Sequence, residues 1–183
     1  MRMVWEHPPQ ELLDSRRRTG ADLFDEMWDG ALHMVPPPSG QHQGVALDLL
    51  RVLMARADER RLVSRFETGL FRPGTEVDWR VPDQAFVNPG QLSDRGIEAP
   101  AECLVEILSP SDETYDKLPW YGEVGVGEVL VLDHVTRAFE VFRNAGGRMV
   151  LDSSDRLRAL GVRLATVDGP RLRVTWDGGS ADV

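Results

Sequence analysis

The spacing of apolar residues along the chain predicts one long amphipathic helix among many short strands. Over residues 41–59, apolar positions recur every three or four residues, and charged residues occupy the positions between them. The predicted apolar face consists of Val45, Ala46, Leu49, Leu50, Leu53 and Ala57. A face of this kind is typical of a helix that packs on a sheet.

Short segments rich in apolar and β-branched residues predict strands on both sides of this helix. Residues 22–35 predict two strands joined at Asp29-Gly30, a dipeptide typical of tight hairpin turns. Residues 102–108 are mostly apolar, as expected of a central strand that is covered on both faces. Further strands are predicted at 62–71, 83–87, 128–133 and 137–144, and in the segments GGRMVLD and RLRVTW.

Two shorter helices complete the predicted elements. One covers residues 8–18 and is opened by two prolines, and the other covers residues 112–123 and has acids in its first turn. The order of elements predicts the mixed α/β (α+β) class, with a mixed central sheet flanked by helices, an N-terminal β-hairpin and C-terminal antiparallel strands. We predict a single domain over residues 1–183, divided into an N-terminal helical extension at 1–21, a core at 22–145 and C-terminal strands at 146–183.

Composition narrows the range of functions. The net charge of −9 argues against non-specific coating of nucleic acid, although it permits a local basic patch or a bound cation. No apolar segment approaches the roughly 20 residues that span a bilayer, and the first thirty residues lack a secretory signal pattern. Cys103 lies in an apolar segment, where a buried thiol is expected. These features predict a cytoplasmic protein with no membrane partner.

The candidate chemistry lies in two carboxylates and one lysine. Asp83 opens a predicted strand, and Glu106 lies inside the apolar segment LVEIL, where a carboxylate is costly unless it is paired, protonated or bound to a metal. If the two strands are neighbours, both acids reach one point at the sheet edge. Two hard oxygen donors with room for water suit Mg²⁺ or Mn²⁺, which would polarise a phosphoryl group.

Lys117 stands out because it is the single lysine among 21 Lys and Arg residues. A lysine beside two acids can stabilise a pentavalent phosphate or orient an attacking water, and unlike arginine it can change protonation state. The structural alternatives are equally compatible with the spacing. Glu106 can pair with a buried arginine, and Asp83 can cap a turn after Pro82. Lys117 can be a lysine without a specific role in a chain whose composition favours arginine.

Several ordered segments closely resemble the Uma family of restriction-endonuclease-type proteins, long catalogued as a domain of unknown function. They cover most of residues 22–143 and read FDEMWDGALHMVPPPSGQHQ, RVPDQAFV, LVEILSPSDETYDKLPWYGEVGVGEVLVLD and FEVFR. The resemblance implies a restriction-endonuclease-like core of the PD-(D/E)XK nuclease type and metal-dependent cleavage of nucleic acid, with DNA favoured as the partner.

The resemblance also implies roles for individual residues. Asp83 matches the first acid of the nuclease pattern and Glu106 the second, so that both, with the main-chain carbonyl of Ile107, would hold Mg²⁺ or Mn²⁺. The usual lysine two residues after the second acid is absent, because Leu108 stands there, and Lys117 in the following helix takes its place. His42 matches a family histidine and is a further candidate catalytic residue.

Some assignments stay open on the sequence. Glu26 is better explained by an ion pair or a hydrogen bond across the first hairpin, and Tyr121 shares a predicted helix face with Lys117. A homodimer is expected of a small nuclease that cuts both strands of a duplex. The alternatives are a catalytically weak or inactive nuclease-fold module with a binding or regulatory role, and a two-carboxylate hydrolase of another substrate such as a glycoside.

Overall fold

Three α-helices lie within residues 3–109 and 113–183, the parts of the chain that the structure, a computed structural model, describes. They span Gln10–Thr19 (α1), Gly40–Glu59 (α2) and Thr114–Glu123 (α3), and a 3₁₀ turn spans Pro89–Gln91. The helices predicted at 8–18 and 41–59 are therefore confirmed to within two residues. The helix predicted at 112–123 is confirmed from Thr114 onward, while residue 112 lies outside the described residues.

The strands of the described residues are Met3–Glu6 (β1), Glu26–Trp28 (β2), Ala31–Met34 (β3), Val63–Phe66 (β4), Leu70–Phe71 (β5), Trp79–Arg80 (β6), Gln84–Val87 (β7), Leu92–Ser93 (β8), Gly96–Glu98 (β9), Cys103–Leu108 (β10), Glu128–Asp133 (β11), Phe139–Asn144 (β12), Met149–Asp152 (β13), Arg156–Leu157 (β14), Val162–Val167 (β15), Arg171–Trp176 (β16) and Gly179–Asp182 (β17). They form three sheets: a seven-stranded sheet in the order β1-β3-β2-β6-β5-β9-β8, a six-stranded sheet in the order β13-β12-β11-β10-β7-β4, and a four-stranded sheet in the order β14-β15-β16-β17.

The six-stranded sheet is the central sheet of the molecule and has mixed strand directions. Strand β10 pairs in parallel with β11 on one side and antiparallel with β7 on the other. Both neighbours of β10 are themselves mostly buried, which explains why β10 is apolar along nearly its whole length. The predicted mixed class, with a mixed central sheet, is confirmed.

The two faces of the central sheet carry different helices because side chains alternate along each strand. Val105 and Ile107 of β10 pack in one apolar cluster with Leu49 and Leu53 of α2. Leu104, which precedes Val105 and points to the opposite face, packs in a second cluster with Leu118 of α3. Residues of β10 with even numbers therefore face α3, and Glu106 is one of them.

Helix α2 begins in a way that fixes the orientation of its first turn. The Oγ of Ser39 accepts a hydrogen bond from the main-chain N–H of His42 at 3.2 Å, which caps the helix. The side chains buried along the helix are His42, Val45, Ala46, Leu49, Leu53 and Ala57. The predicted apolar face is confirmed, and His42 extends it to the N-terminal end.

The segment predicted as one strand at 62–71 is instead two strands in different sheets, so this prediction is wrong. Strand β4 belongs to the six-stranded sheet and β5 to the seven-stranded sheet. Between them, Glu67 adopts a left-handed backbone conformation with φ of 45°, which an extended strand does not allow. The first hairpin is confirmed, because Asp29 and Gly30 both have positive φ in the turn between β2 and β3.

The C-terminal strands form an antiparallel sheet, as predicted. Its apolar face contributes Leu157, Val162, Leu164, Leu172 and Val174 to the same cluster as α2. The thiol of Cys103 is buried, also as predicted, and burial raises its pKa. Within the described part of the chain, no helix is both long enough and apolar enough to cross a membrane.

Candidate functional site

The pairing of β7 with β10 brings Asp83 and Glu106 to the same edge of the central sheet. The two strands run antiparallel, and Gln84 lies opposite Val105. Asp83 precedes Gln84 and Glu106 follows Val105, so the next positions in this register face each other on the same side of the sheet. The geometric condition on which the predicted two-carboxylate site depends is met.

Asp83 is fixed by the strand that carries Glu106. Its Oδ2 accepts a hydrogen bond from the main-chain N–H of Ile107 at 2.6 Å. Nε2 of His42 lies 3.5 Å from the same oxygen and 2.9 Å from the main-chain oxygen of Ile107. His42, from the first turn of α2, therefore ties Asp83 to the end of β10.

Glu106 faces α3 and meets two residues one helical turn apart. Its Oε1 lies 3.3 Å from Nζ of Lys117 and accepts a hydrogen bond from the hydroxyl of Tyr121. Lys117 and Tyr121 share a helix face because they are four positions apart. Burial is the main cause that raises the pKa of Glu106 to about 8, and repulsion from Asp83 adds to it against the attraction of Lys117.

Glu26 belongs to the same group of residues, which corrects the expectation that its partner lies across the first hairpin. Its Oε1 lies 2.7 Å from Nζ of Lys117 and accepts a hydrogen bond from the N–H of Val81 at 2.9 Å. Oε2 accepts from the indole N–H of Trp28 at 2.8 Å. Burial opposes ionisation of Glu26, but Lys117 and these donors outweigh it and lower the pKa.

Glu67 is a further acid beside Asp83 that sequence reasoning did not identify. Its carboxylate accepts a hydrogen bond from the side-chain amide of Gln43 at 2.5 Å. Its main-chain N–H donates to the main-chain oxygen of Asp83 at 3.1 Å. Burial raises the pKa of Glu67, and the charge of Asp83 adds to this effect. Glu67 lies in the turn between β4 and β5, within the segment 62–71 that was predicted as one strand. The sequence pattern therefore did not indicate it as a site residue.

We call Glu26, Glu67, Asp83 and Glu106, together with Lys117, the acidic cluster. Burial by itself lowers the pKa of Lys117, but the charges of Glu106 and Glu26 outweigh it, so the pKa is raised above its ordinary value. When all four acids are ionised, the cluster holds four carboxylates and one ammonium, and the guanidinium of Arg80, which pairs with Asp78, also interacts with Glu26. A divalent cation would offset part of this excess negative charge.

The oxygen atoms at the sheet edge match in type the ligands that Mg²⁺ and Mn²⁺ take. Asp83 and Glu106 supply two carboxylates from neighbouring strands, and Ile107 supplies a main-chain carbonyl next to them. Among the described residues, no group of three or more His, Cys, Asp or Glu side chains has metal-binding geometry. Two carboxylates and one main-chain carbonyl would leave the remaining coordination positions of a bound Mg²⁺ to water, which Mg²⁺ commonly retains.

The remaining candidates have identifiable places. Leu108, where the usual nuclease lysine would stand, is half-buried. Nδ1 of His134 lies 2.7 Å from the main-chain oxygen of Leu108, close to the acidic cluster. His33 lies 3.2 Å from a carboxylate oxygen of Glu113 and stacks on Trp28.

Comparison with known proteins agrees with this architecture. No curated protein matches the chain. Among solved structures, a protein from Anabaena variabilis described as a putative nuclease belonging to DUF820 has a TM-score of 0.57 and 18% identity, covering 73% of this chain and 79% of that chain. This likeness shows a shared fold. A family model named Uma2 and described as "Putative restriction endonuclease" matches residues 10–169, a range that contains the whole acidic cluster. The chain therefore belongs to the Uma2 family.

Proposed function

We propose that the protein is a metal-dependent endonuclease that hydrolyses phosphodiester bonds in nucleic acid, with DNA as the favoured substrate. The observation that carries the proposal is the meeting of Asp83 and Glu106 at one sheet edge, with the ammonium of Lys117 3.3 Å from Glu106. Membership of the Uma2 family supports the same class of activity.

In this proposal, Asp83, Glu106 and the main-chain carbonyl of Ile107 hold Mg²⁺ or Mn²⁺. When bound, such an ion polarises a phosphoryl oxygen and lowers the pKa of a coordinated water. Because the pKa of Glu106 is raised to about 8, its carboxyl group carries a proton at neutral pH and must release it to act as a ligand. His42 acts as a positioning residue, since it contacts both Asp83 and the end of β10.

Lys117 supplies a fixed positive charge at the reacting phosphate. Its pKa is raised by Glu106 and Glu26, so the side chain stays protonated at neutral pH. A protonated lysine cannot accept the proton of an attacking water, but it can orient that water or stabilise the pentavalent phosphate. Glu26 holds the ammonium in place through a contact of 2.7 Å.

The experiment is a cleavage assay on plasmid and on single-stranded DNA in Mg²⁺, Mn²⁺ and EDTA. The variant Asp83→Asn retains an oxygen that can accept the N–H of Ile107 but removes the charge, so we expect it to fold and to lose cleavage. Asp94→Asn, at an exposed surface position, is the matched control with the same change of charge. Equal activity of the wild type, the Asp83 variant and the EDTA sample would disprove the proposal.

A second candidate is a nuclease-fold module that binds without cutting. It is favoured by Leu108 at the place of the usual lysine and by the raised pKa of Glu106, which weakens it as a metal ligand at neutral pH. Calorimetric titration with Mn²⁺ separates the two candidates. Binding of about one ion, lost in Asp83→Asn, supports the nuclease, whereas no heat at millimolar Mn²⁺ supports the binding module.

The proposal includes a homodimer, because two active sites related by a two-fold axis match the two-fold symmetry of a duplex. Light scattering coupled to gel filtration measures the molar mass directly. A mass near twice 20.5 kDa is expected, and a mass near 20.5 kDa with or without duplex DNA would exclude this part of the proposal.

A further inference from the structure

An open pocket of about 430 Å³ lies beside the first turns of α2, outside the acidic cluster. It is formed between the first turns of α2, which contribute Gln41, Gly44 and Asp48, and the turn between β11 and β12, which contributes His134 and Arg137. The pocket is close to Asp83, because the ring of His134 lies 6.1 Å from the ring of His42, centroid to centroid.

The turn that carries Arg137 is held rigidly by main-chain contacts. The N–H of Arg137 donates to the oxygen of Asp133 at 2.9 Å, and its own oxygen accepts from Oγ1 of Thr166 at 2.6 Å. Arg137 has a φ of 60°, a conformation that suits glycine better than a long side chain.

The guanidinium of Arg137 has no carboxylate partner among the described residues. No ion pair to it occurs there, and its Nε is enclosed without a hydrogen-bond acceptor. Arg137 is only half-buried, so its outer nitrogens can reach a ligand in the open pocket. A guanidinium without a carboxylate partner beside an open pocket favours a bound anion, which would accept hydrogen bonds from these outer nitrogens.

The charges around Arg137 also favour an anion. The carboxylate of Asp48 lines the pocket but pairs with Arg51 at 2.9 Å, along the outer face of α2. The first turn of α2 contributes the positive end of a 20-residue helix. Nδ1 of His134 donates a hydrogen bond to the main-chain oxygen of Leu108 at 2.7 Å, which fixes the ring at the wall of the pocket.

We propose that this pocket binds a phosphate group of the nucleic-acid backbone, with Arg137 as its main ligand, and thereby places the neighbouring phosphodiester at Asp83 and Glu106. The inference rests on the proposed nuclease function for the identity of the ligand. Arginine suits the task because its planar group can make two parallel hydrogen bonds to a phosphate. The contact would position the strand without reading its sequence.

The test is binding of a fluorescent 20-base-pair DNA duplex in EDTA, followed by anisotropy at several salt concentrations. For Arg137→Gln we expect about tenfold weaker binding and a salt slope smaller by about one, the signature of one lost phosphate contact. Arg148→Gln makes the same change of charge at the exposed turn between β12 and β13, and should bind within twofold of wild type. Equal losses in the two variants would overturn the proposal.

A second variant distinguishes the loss of a phosphate contact from a loss of folding. Gln41→Glu places a carboxylate in the first turn of α2, where it stabilises the helix but repels a phosphate in the pocket. We expect an unchanged or raised melting temperature together with weaker DNA binding. A raised melting temperature with unchanged DNA binding would contradict the inference.

Two further arms identify the ligand and separate this inference from the proposed function. Competition with inorganic phosphate and with a mononucleotide should require millimolar concentrations, since a single phosphate makes few contacts; displacement of DNA at micromolar phosphate would instead assign a small-anion site. Because binding is measured in EDTA, a selective loss in Arg137→Gln supports the pocket even if the wild type cuts nothing. Conversely, cleavage by the wild type with normal DNA binding and cleavage in Arg137→Gln would refute the pocket alone.

Discussion

The ammonium group of Lys117 lies 2.7 Å from Oε1 of Glu26, and both side chains are almost fully buried. This contact joins α3 to a strand of the seven-stranded sheet, whereas Glu106 belongs to the central sheet. Lys117 is therefore shared between two carboxylates, with the shorter distance to Glu26. Lys117, Val81 and Trp28 together outweigh burial and lower the pKa of Glu26, whereas burial and the charge of Asp83 outweigh Lys117 and raise the pKa of Glu106.

Glu26→Gln is expected to reduce cleavage about tenfold by releasing the ammonium of Lys117 from one of its two anchors. Lys117 then interacts more strongly with Glu106, which lowers the pKa of Glu106. The pH profile of cleavage should consequently shift toward lower pH, an effect that loss of stability alone does not produce. Rates of plasmid nicking between pH 6 and 9 measure both quantities.

The matched control for this variant is Glu11→Gln, at an exposed position in the first turn of α1. It should leave the rate and the pH profile unchanged. If Glu26→Gln also leaves both unchanged, Glu26 does not position Lys117 for the reaction.

Lys117→Met should destabilise the fold, because it leaves Glu26 buried without its cationic partner. Breaking a buried ion pair in this way costs about 3 kcal/mol. Adding Glu26→Gln removes the unpaired charge, so the double variant should regain at least about 1 kcal/mol relative to additivity. Urea unfolding of the wild type, both single variants and the double variant measures the coupling energy, and strictly additive losses would contradict the contact. Neither variant that lacks Lys117 should recover cleavage.

The raised pKa of Glu106 predicts a pH-dependent stability in EDTA. The folded protein keeps the proton on Glu106 up to about pH 8, whereas the unfolded chain releases it near the ordinary value of 4.5. The folded state thus binds more protons between these values, and the stability contributed by this group is full below pH 4.5 and is lost as pH rises through about 8. Glu106→Gln cannot ionise, so its melting temperature should rise relative to wild type from pH 5 to pH 9.

Thermal melts across that range test the sign of the effect. Glu98→Gln serves as the comparison, because the half-buried Glu98 has its pKa lowered by Arg95 and should show no such rise. A difference between Glu106→Gln and wild type that stays constant or shrinks as pH rises would show that Glu106 is ionised in the folded protein at neutral pH.

The sequence predicted the parts of the cluster that depend on local pattern. An acid inside the apolar segment of β10 and another at the start of β7 were expected to meet if the strands were neighbours, and the register places them opposite each other. The spacing of Lys117 and Tyr121 predicted a shared helix face, and both contact Glu106. The contact of His42 with the main-chain oxygen of Ile107 places His42, another predicted site residue, beside the end of β10. Their chemical roles remain predictions.

The contributions of Glu26 and Glu67 could not be predicted in this way. Glu26 reaches Lys117 through a sheet in which β2 is followed by β6 and β5, and strands of two or three residues carry too few positions to show a period. Glu67 lies at a left-handed turn that divides the segment at 62–71 between two sheets. The end of one strand at this turn depends on tertiary contacts, including the hydrogen bond from the N–H of Glu67 to the main-chain oxygen of Asp83. It does not follow from the strand propensity of the local sequence.

Glu128 provides a test of whether any buried carboxylate of the central sheet matters for the reaction. It starts β11 opposite Cys103, at the end of β10 away from Glu106, and its carboxylate accepts from Arg143 and from the N–H groups of Arg158 and Ala159. Glu128→Ala leaves these donors without an acceptor, so we expect a loss of about 3 kcal/mol in the free energy of unfolding. The folded fraction should cut DNA and bind Mn²⁺ as the wild type does, because Glu128 lies outside the acidic cluster. Chemical unfolding combined with cleavage per folded molecule checks both statements. A cleavage defect as large as that of Asp83→Asn at a temperature where the variant is folded would mean that burial of acids, and not their meeting at the sheet edge, governs activity.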